Sequence, residues 1–461
     1  MALKEIISLI PEVKKPSEKK VSFNVKLKWT LIILGVYFVL YNITLYGLSN
    51  NALERFDFLS VILGTSFGSI ISLGIGPIVT SSIILQLLAG SGILSIDTKT
   101  PEGKKMFQGL QKVGVLFFII FEAFVFVLMR GLEASAGFAG IVIFQLILGG
   151  LAIMLMDEVA QKWGFGSGVS LFIVAGVSLQ IFIGLFQFIG TDGGNCLVDF
   201  ENTPCAGRIL VIVQAIIGGD PTSALLAVAV ILVTVLIFLA VVWAQNLKVE
   251  IPLSYDRIRG YGVKWPLAFF YASVLPVILV AALAANLQLF GSLLENWIGH
   301  PTFIGGFQNG QPISGLSYWI SSPNLLQGAI TGSLLGSDLI RAFGNLLFYM
   351  VFAMVFSIFW VKTTGMDAAS QAKNIGASGL QLPGFRKDPR ILESILKRYI
   401  MPLTIMGGLA IGALAAIANL LGALTSGTAI LLAVMIIYQL YQNIAQQHAV
   451  DMHPAMRKFM G

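Results

Sequence analysis

Charge is the scarcest commodity in this chain. Only 11% of its 461 residues are Asp, Glu, Lys or Arg, against 56% hydrophobic. A soluble domain carries about a quarter charged residues, so this is a polytopic membrane protein. Histidine is nearly absent. The three present, His300, His448 and His453, all fall outside the apolar runs, so an intramembrane zinc site has no ligands. Two cysteines nine residues apart, Cys196 and Cys205, make a poor metal site. There is no Gly-x-x-x-x-Gly-Lys-Ser/Thr phosphate loop, no His-Glu-x-x-His, and no Ser/His/Asp set that the membrane segments could assemble. These absences argue against an enzyme, and no cofactor is expected.

What the chain has is long apolar runs. A span needs about 20 such residues, and ten are predicted: 27–48, 73–94, 106–129, 138–157, 167–188, 222–246, 267–290, 339–362, 399–421 and 428–447. Basic residues test this map. When the connecting segments are assigned alternately, four of the 29 Lys and Arg, namely Arg55, Arg130, Arg208 and Arg341, fall outside. The other 25 lie on the inside segments and the span ends that meet them. Both termini are therefore expected in the cytosol. No cleavable signal peptide is expected: Leu3, Ile6, Ile7 and Ile10 at helical spacing, followed by lysines, suggest an amphipathic surface helix within residues 1–26. The net charge of +6 is first of all a topology signal, though a basic cytosolic face also suits an RNA-rich partner.

A repeating five-span unit must return inverted, because five is odd. Spans 2 and 7 echo each other, with Pro77 and Pro276 near their starts and amides about three turns on (Gln86; Asn286 and Gln288). Spans 5 and 10 open alike, on "GSGVSLFI" and "SGTAILLA". The fold expected is an all-α membrane protein with two inverted five-helix halves around a central pore. The halves would be residues 27–190 and 222–447, joined by an external loop, 191–221, and followed by a cytosolic tail, 448–461. Cys196 and Cys205 lie in that loop; a disulfide and two free thiols both fit the spacing.

Two cytosolic segments look ordered. In the first, about 247–266, two short runs flank Gly260-Tyr261-Gly262 and predict a β-hairpin bearing Arg257, Arg259 and Lys264. In the second, about 363–398, a short helix follows Asp367, and another starts at Asp388-Pro389, beyond Arg386 and Lys387. Together they present a basic docking surface.

One ionisable residue lies deep in a span: Glu122, in "LFFIIFEAFVFVLM". It serves either as a coupling acid in an ion-driven transporter or as a polar contact between helices. Thr80, Asn286 and the amides are its possible partners. Absence of further coupling groups favours a passive pathway driven from elsewhere. Span 2 is also oddly made. It opens on Gly74-Ile75-Gly76-Pro77 after a small, polar-dotted fragment that need not cross the bilayer. Gly74 and Gly76 would let the chain turn, and Pro77 would start the helix.

The chain resembles the SecY family in its archaeal form. The resemblance rests on "LGIGPIVTSSIILQLL" (73–88), "MDEVAQKWGFGSGVSLFIVAGVS" (156–178), "LKVEIPL" (247–253), "LPVILVAALAANLQL" (275–289), "FWVKTTGMD" (359–367), "GFRK" (384–387), "LKRYIMPLT" (396–404) and "IANLLGALTSGTAILL" (417–432). It implies the large subunit of a protein-translocation channel in the plasma membrane. Partners would be two small membrane subunits, the ribosome, signal sequences, nascent polypeptides and lipid. It implies a pore ring of Ile75, Val79, Val169, Ile173, Ile278 and Leu432. The implied plug is Arg55, Phe56, Asp57, Phe58, Leu59, Ser60, Val61, Ile62, Leu63, Gly64, Thr65 and Ser66. A lateral gate of spans 2 and 3 against 7 and 8 would have Thr80, Glu122 and Asn286 as its polar seam. Arg257, Arg259, Lys264, Arg386 and Lys387 would meet the ribosome.

Overall fold

The computed structural model describes residues 12–16, 21–53, 57–90, 93, 100–190, 194–198, 203–255, 262–272, 275–308, 311–377, 380–381 and 389–452. Spans 1 to 5 are α1 (Phe23–Asn42), α3 (Gly76–Gly90), α4 (Pro101–Leu128), α5 (Ala139–Trp163) and α6 (Gly168–Phe186); a short helix α2 (Asp57–Ile62) precedes α3. Spans 6 to 10 are α8 (Pro221–Gln245), α9 (Leu275–Ile298), α12 (Gly336–Thr363), α14 (Pro389–Leu420) and α15 (Gly427–Met452). Between them lie α7 (Arg208–Gly218), α10 (Gly315–Ile320), α11 (Leu325–Thr331) and α13 (Ala368–Ala377). Several helices start where local chemistry dictates. Asp220 accepts hydrogen bonds from the Thr222 and Ser223 N–H groups, with Pro221 in the first turn of α8. Thr100 caps α4 in the same way, with Pro101 behind it.

Four neighbour pairs recur in the two halves. In the first, α1 packs on α6, α3 on α4, α4 on α5 and α5 on α6. Five spans later, α8 packs on α15, α9 on α12, α12 on α14 and α14 on α15. The odd span count turns the second half over relative to the first. The halves meet along two seams: α3 against α9 and α12, and α6 and α1 against α15. The echoing pairs, spans 2 and 7 and spans 5 and 10, therefore face each other across the centre. Inside the second half, α12 and α14 approach closely. A Cβ on Gly412 would lie 2.5 Å from the Tyr349 carbonyl oxygen, and one on Gly408 2.8 Å from Ser357 Oγ. Small residues four apart permit such backbone contact in lipid.

Three boundaries differ from the sequence expectation. Span 7 runs Leu275–Ile298 rather than 267–290, because 262–268 is committed to a strand. Span 9 is one helix of 32 residues that continues through Pro402, whereas two segments were expected. Its first turns bury Leu392, Leu396, Ile400 and Leu403 on one face, and that packing carries the helix past the proline. Span 2 forms only 15 helical residues. That is about 22 Å at 1.5 Å per residue, short of the roughly 30 Å acyl core. Among the described residues, nine other helices are long and apolar enough to cross.

The expected hairpin is present: β3 (Lys248–Tyr255) pairs antiparallel with β4 (Gly262–Ala268), Ile251 opposite Trp265. A third strand, β7 (Leu380–Gln381), comes from the 363–398 segment and pairs with Ser254 and Tyr255. Two smaller pairs complete the strands: β1 (Leu48–Asn51) with β2 (Leu132–Ala134), and β5 (Gly306–Gln308) with β6 (Gln311–Ser314). Ile251, Leu267 and Tyr271 join Ile375 and Leu396 in a small core of their own, and Tyr271 Oη donates to the Met366 carbonyl at 2.7 Å. The two protrusions are thus one body. On the other face Cys196 and Cys205 form a disulfide, their Cα atoms 5.3 Å apart.

Candidate functional site

The centre of the molecule is apolar. Ile75, Val79, Val169, Ile173, Ile278 and Leu432 are each no more than 9% exposed and belong to one buried cluster. They come from α3 and the residue before it, α6, α9 and α15, the helices that line the two seams. A cavity of about 440 Å³ opens on the hairpin side, lined by Val79, Val169 and Ile278 together with Gln111, Gln161 and Thr364. A second, of about 230 Å³, lies on the disulfide side, lined by Ile62, Ala281, Ala285, Gln288 and Thr425. One stripe of α9 serves both: Ile278 faces the first, and Ala281, Ala285 and Gln288 the second, at helical spacing. Gln86 and Gln288 each bury a carbonyl oxygen without a protein donor, one at each cavity. Between the cavities the core is packed.

The segment expected to be the plug runs through that packed centre. Arg55 and Phe56 lie outside the described residues. From Asp57 the chain makes a short helix, α2, which contacts α6 and α9, one from each half. Ser60, Val61, Ile62, Leu63 and Thr65 are buried. After it the chain turns at Gly64 (φ +56°), whose carbonyl accepts a hydrogen bond from Tyr37 Oη at 3.0 Å. The Tyr37 ring stacks on Phe172, centroids 4.9 Å apart. Ile75 N–H donates to the Leu63 carbonyl at 2.9 Å, so the ring position and the end of α2 are directly bonded. Ser66 accepts from Ser69, both N–H and Oγ.

The two hinge glycines have different jobs. Gly74 has φ +53°, and a Cβ there would lie 2.3 Å from the Leu63 carbonyl oxygen. It alone supplies the turn. Gly76 is the first residue of α3, and a Cβ there would lie 3.1 Å from Glu122 Oε2. Its role is to admit the carboxyl group, which corrects the expectation that both residues bend the chain. Pro77 takes the second helical position, where a missing N–H leaves no helical bond unmade.

The polar trio comes together. Asn286 Nδ2 donates to Thr80 Oγ1 at 2.9 Å, and Thr80 Oγ1 donates to Glu122 Oε1 at 3.3 Å. The chain links α9, α3 and α4, so it crosses the seam between the halves. Glu122 and Asn286 are buried.

One residue that no sequence reading singled out joins the site. Asp157, near the end of α5, accepts from Val169 N–H at 3.1 Å, Ser167 Oγ at 3.4 Å and Gln161 Nε2 at 2.8 Å. It ties the first turn of α6, and with it Val169, to α5. In the sequence it reads as an ordinary acid at the inside end of a span. Beside it, Glu158 pairs with Lys112 and Lys162 at 2.7 Å each. Lys162 also pairs with Glu12 at 2.7 Å, and Trp163 Nε1 donates to the Lys14 carbonyl at 3.0 Å, so residues 12–16 are tied to α5. The hydrogen bond from Lys162 holds the Glu12 carboxyl below its usual pKa.

Of the basic docking set, Lys264 is described: it is exposed, paired with Glu250 at 2.6 Å, and that bond raises its pKa. Arg257, Arg259, Arg386 and Lys387 lie outside the described residues.

The SecY family model matches residues 69–441. The chain belongs to the SecY family. It is 42% identical to the protein translocase subunit SecY of Methanothermobacter thermautotrophicus over 461 residues, covering 99% of this chain and 98% of that one. With the SecY of Methanococcus vannielii the identity is 40%, over all of both chains. Among solved structures, one described as the structure of a protein conducting channel superposes with a TM-score of 0.84 at 39% identity, covering 98% of this chain and 99% of that one. Sec61 in the canine ribosome-channel complex from the endoplasmic reticulum superposes at 0.81, with 39% identity and the same coverage.

Proposed function

We infer that this SecY-family chain is the pore-forming subunit of a protein translocase in the plasma membrane. It conducts unfolded polypeptides across the bilayer and releases transmembrane segments sideways into lipid. The observation that carries this reading is the pair of cavities on opposite sides of a packed apolar waist. A pore of this kind needs a constriction that seals without gripping its cargo. Branched apolar side chains meet that need, because they exclude water and ions yet offer a passing chain no fixed hydrogen bonds. Ile75, Val79, Val169, Ile173, Ile278 and Leu432 are the constriction, and residues 55–66 the plug that completes it at rest.

Thr80, Glu122 and Asn286 close the lateral gate. Hydrogen bonds between helices in lipid contribute about 0.6–2 kcal/mol each. A seam of two such bonds holds the gate shut and still yields to an arriving apolar segment. The chain supplies no energy and is not an enzyme; the ribosome, docked on the basic hairpin and the 363–398 segment of a cytosolic face that also holds both termini, drives co-translational passage. Two small membrane subunits complete the complex. Glu122 as the coupling acid of a transporter is the weaker reading, since its carboxyl is bonded within the seam and, among the described residues, no second acid accompanies it there.

A photocrosslinker at Ile278, offered a ribosome stalled on a secretory chain, is expected to capture that chain. No adduct in the docked complex would overturn the channel assignment. Loss of small-solute uptake by Glu122→Gln in liposomes would instead support the transporter.

A further inference from the structure

The connection between the halves holds a helix that topology alone assigns to the aqueous exterior. Gly207, which precedes α7, donates its N–H to the Gln187 carbonyl at 2.9 Å, so α7 starts level with the end of α6. It runs to Gly218, turns through Gly219 (φ +67°) and Asp220, and α8 returns packed against it. A tight turn followed by extensive packing makes the two antiparallel, with α7 beside the first three turns of α8.

The depth of those turns follows from α8 itself. Its exposed apolar side chains extend from Leu225 through Leu232 and Leu239 to Trp243. Eighteen residues of helix measure about 27 Å, close to the roughly 30 Å acyl core. Leu225 therefore lies within a turn of one edge of the slab and Trp243 at the other. Half-way along, Thr234 Oγ1 accepts from the Leu424 N–H at 3.1 Å, and a Cβ on Gly184 of α6 would lie 3.6 Å from the same Leu424. Span 6 thus continues outward for two to three turns past the end of span 5 and past the connection between spans 9 and 10. The outer half of the wall at this place is filled by α7.

The exposed side chains of α7 suit that position. Ile209, Val213, Ile216 and Ile217 stand at i, i+4, i+7 and i+8, one continuous face. The other side is engaged by protein: Ala215 is buried, and the Gln214 amide accepts from Cys205 N–H and donates to the Thr203 carbonyl, both at 3.0 Å, fastening the disulfide loop to the helix. Arg208, the only charge on α7, occupies its first position.

We propose that α7 is a lipid-embedded half-span, its Ile209–Ile217 face in contact with acyl chains of the leaflet on the disulfide side. The occupant is lipid because this face is continuous with the lipid-facing stripe of α8. The full chain, reconstituted in vesicles of phosphatidylcholine and phosphatidylglycerol, carries a nitroxide at Ile216→Cys or, separately, Val213→Cys. Leu225→Cys supplies the lipid reference and Lys264→Cys the water reference. Collision with oxygen is compared with collision with a nickel chelate. Both α7 labels are expected to show an oxygen-to-nickel ratio roughly tenfold above that of Lys264→Cys and near that of Leu225→Cys, as immersion in the acyl region requires. Nickel access at Ile216 equal to that at Lys264 would place the helix in water. Shielding from both reagents would mean that protein covers it. Either result overturns the proposal and leaves the channel assignment untouched, because the labels report depth and not conduction.

Discussion

Asn286 on α9 and Thr80 on α3 share a hydrogen bond of 2.9 Å, although 206 residues separate them in the chain. It is a direct polar bond between the two halves, and Glu122 extends it to α4. Removing it with Asn286→Ala is expected to weaken the closed seam by about 1 kcal/mol. A change of that size raises an open population roughly fivefold. Single-channel recording in planar bilayers measures it; unchanged opening frequency would count against the seam as a gate.

Gly74→Ala is expected to unseat the proposed plug. The substitution combines a left-handed backbone with a Cβ 2.3 Å from the Leu63 carbonyl oxygen. Strain at such a position is on the order of 1–3 kcal/mol, and relief requires the 63–75 turn to move. Ion leak through the resting protein should rise. Gly76→Ala meets only the end of the Glu122 side chain and should leak less. Equal leak from both variants would refute the distinction.

Asp157 positions Val169 by accepting the hydrogen bond of its N–H. Asp157→Asn keeps an oxygen acceptor for the first turn of α6 and should retain most of the resting seal, whereas Asp157→Ala removes it. An unpaired N–H at a lost helix cap costs about 1 kcal/mol. The expected readout is a higher ion leak in the alanine variant and rescue in the asparagine one. Leak unaffected by alanine would show that Val169 is held by packing alone.

The tie between residues 12–16 and α5 depends on pH. The hydrogen bond from Lys162 depresses the Glu12 carboxyl, so its contribution is present above the ordinary carboxylate pKa of about 4.3 and is lost as pH falls through the depressed value. Amide exchange at residues 12–16, corrected for intrinsic rates, should be slow at neutral pH and fast in acid. Lys162→Met should make it fast at both. Equal protection in wild type and variant would exclude the ion pair as the tether.

Much of this was legible in the residues. Scarce charge, ten apolar runs and the parity of Lys and Arg are global properties, and a bilayer reads them almost directly, because unpaired backbone and charge are costly in lipid. The hairpin around Gly260-Tyr261-Gly262 was legible because turn chemistry is local. The joining of Thr80, Glu122 and Asn286 followed from motif resemblance, and not from any periodicity in their own helices.

Other features were not legible, because they belong to packing. Asp157 looked like any acid at a span end until α6 was placed beside it. Gly74 and Gly76 differ in backbone conformation, left-handed at Gly74, and in what their missing Cβ atoms would strike, Leu63 in one case and Glu122 in the other. The continuous span 9 passes Pro402 because its first turns bury apolar side chains against the hairpin. The 191–221 connection read as a loop because the 11 residues of α7 are too few to span. Composition and charge order alone determined that this chain crosses the membrane ten times. Only the tertiary structure decided which crossings face one another, since that depends on the shapes of surfaces far apart in sequence.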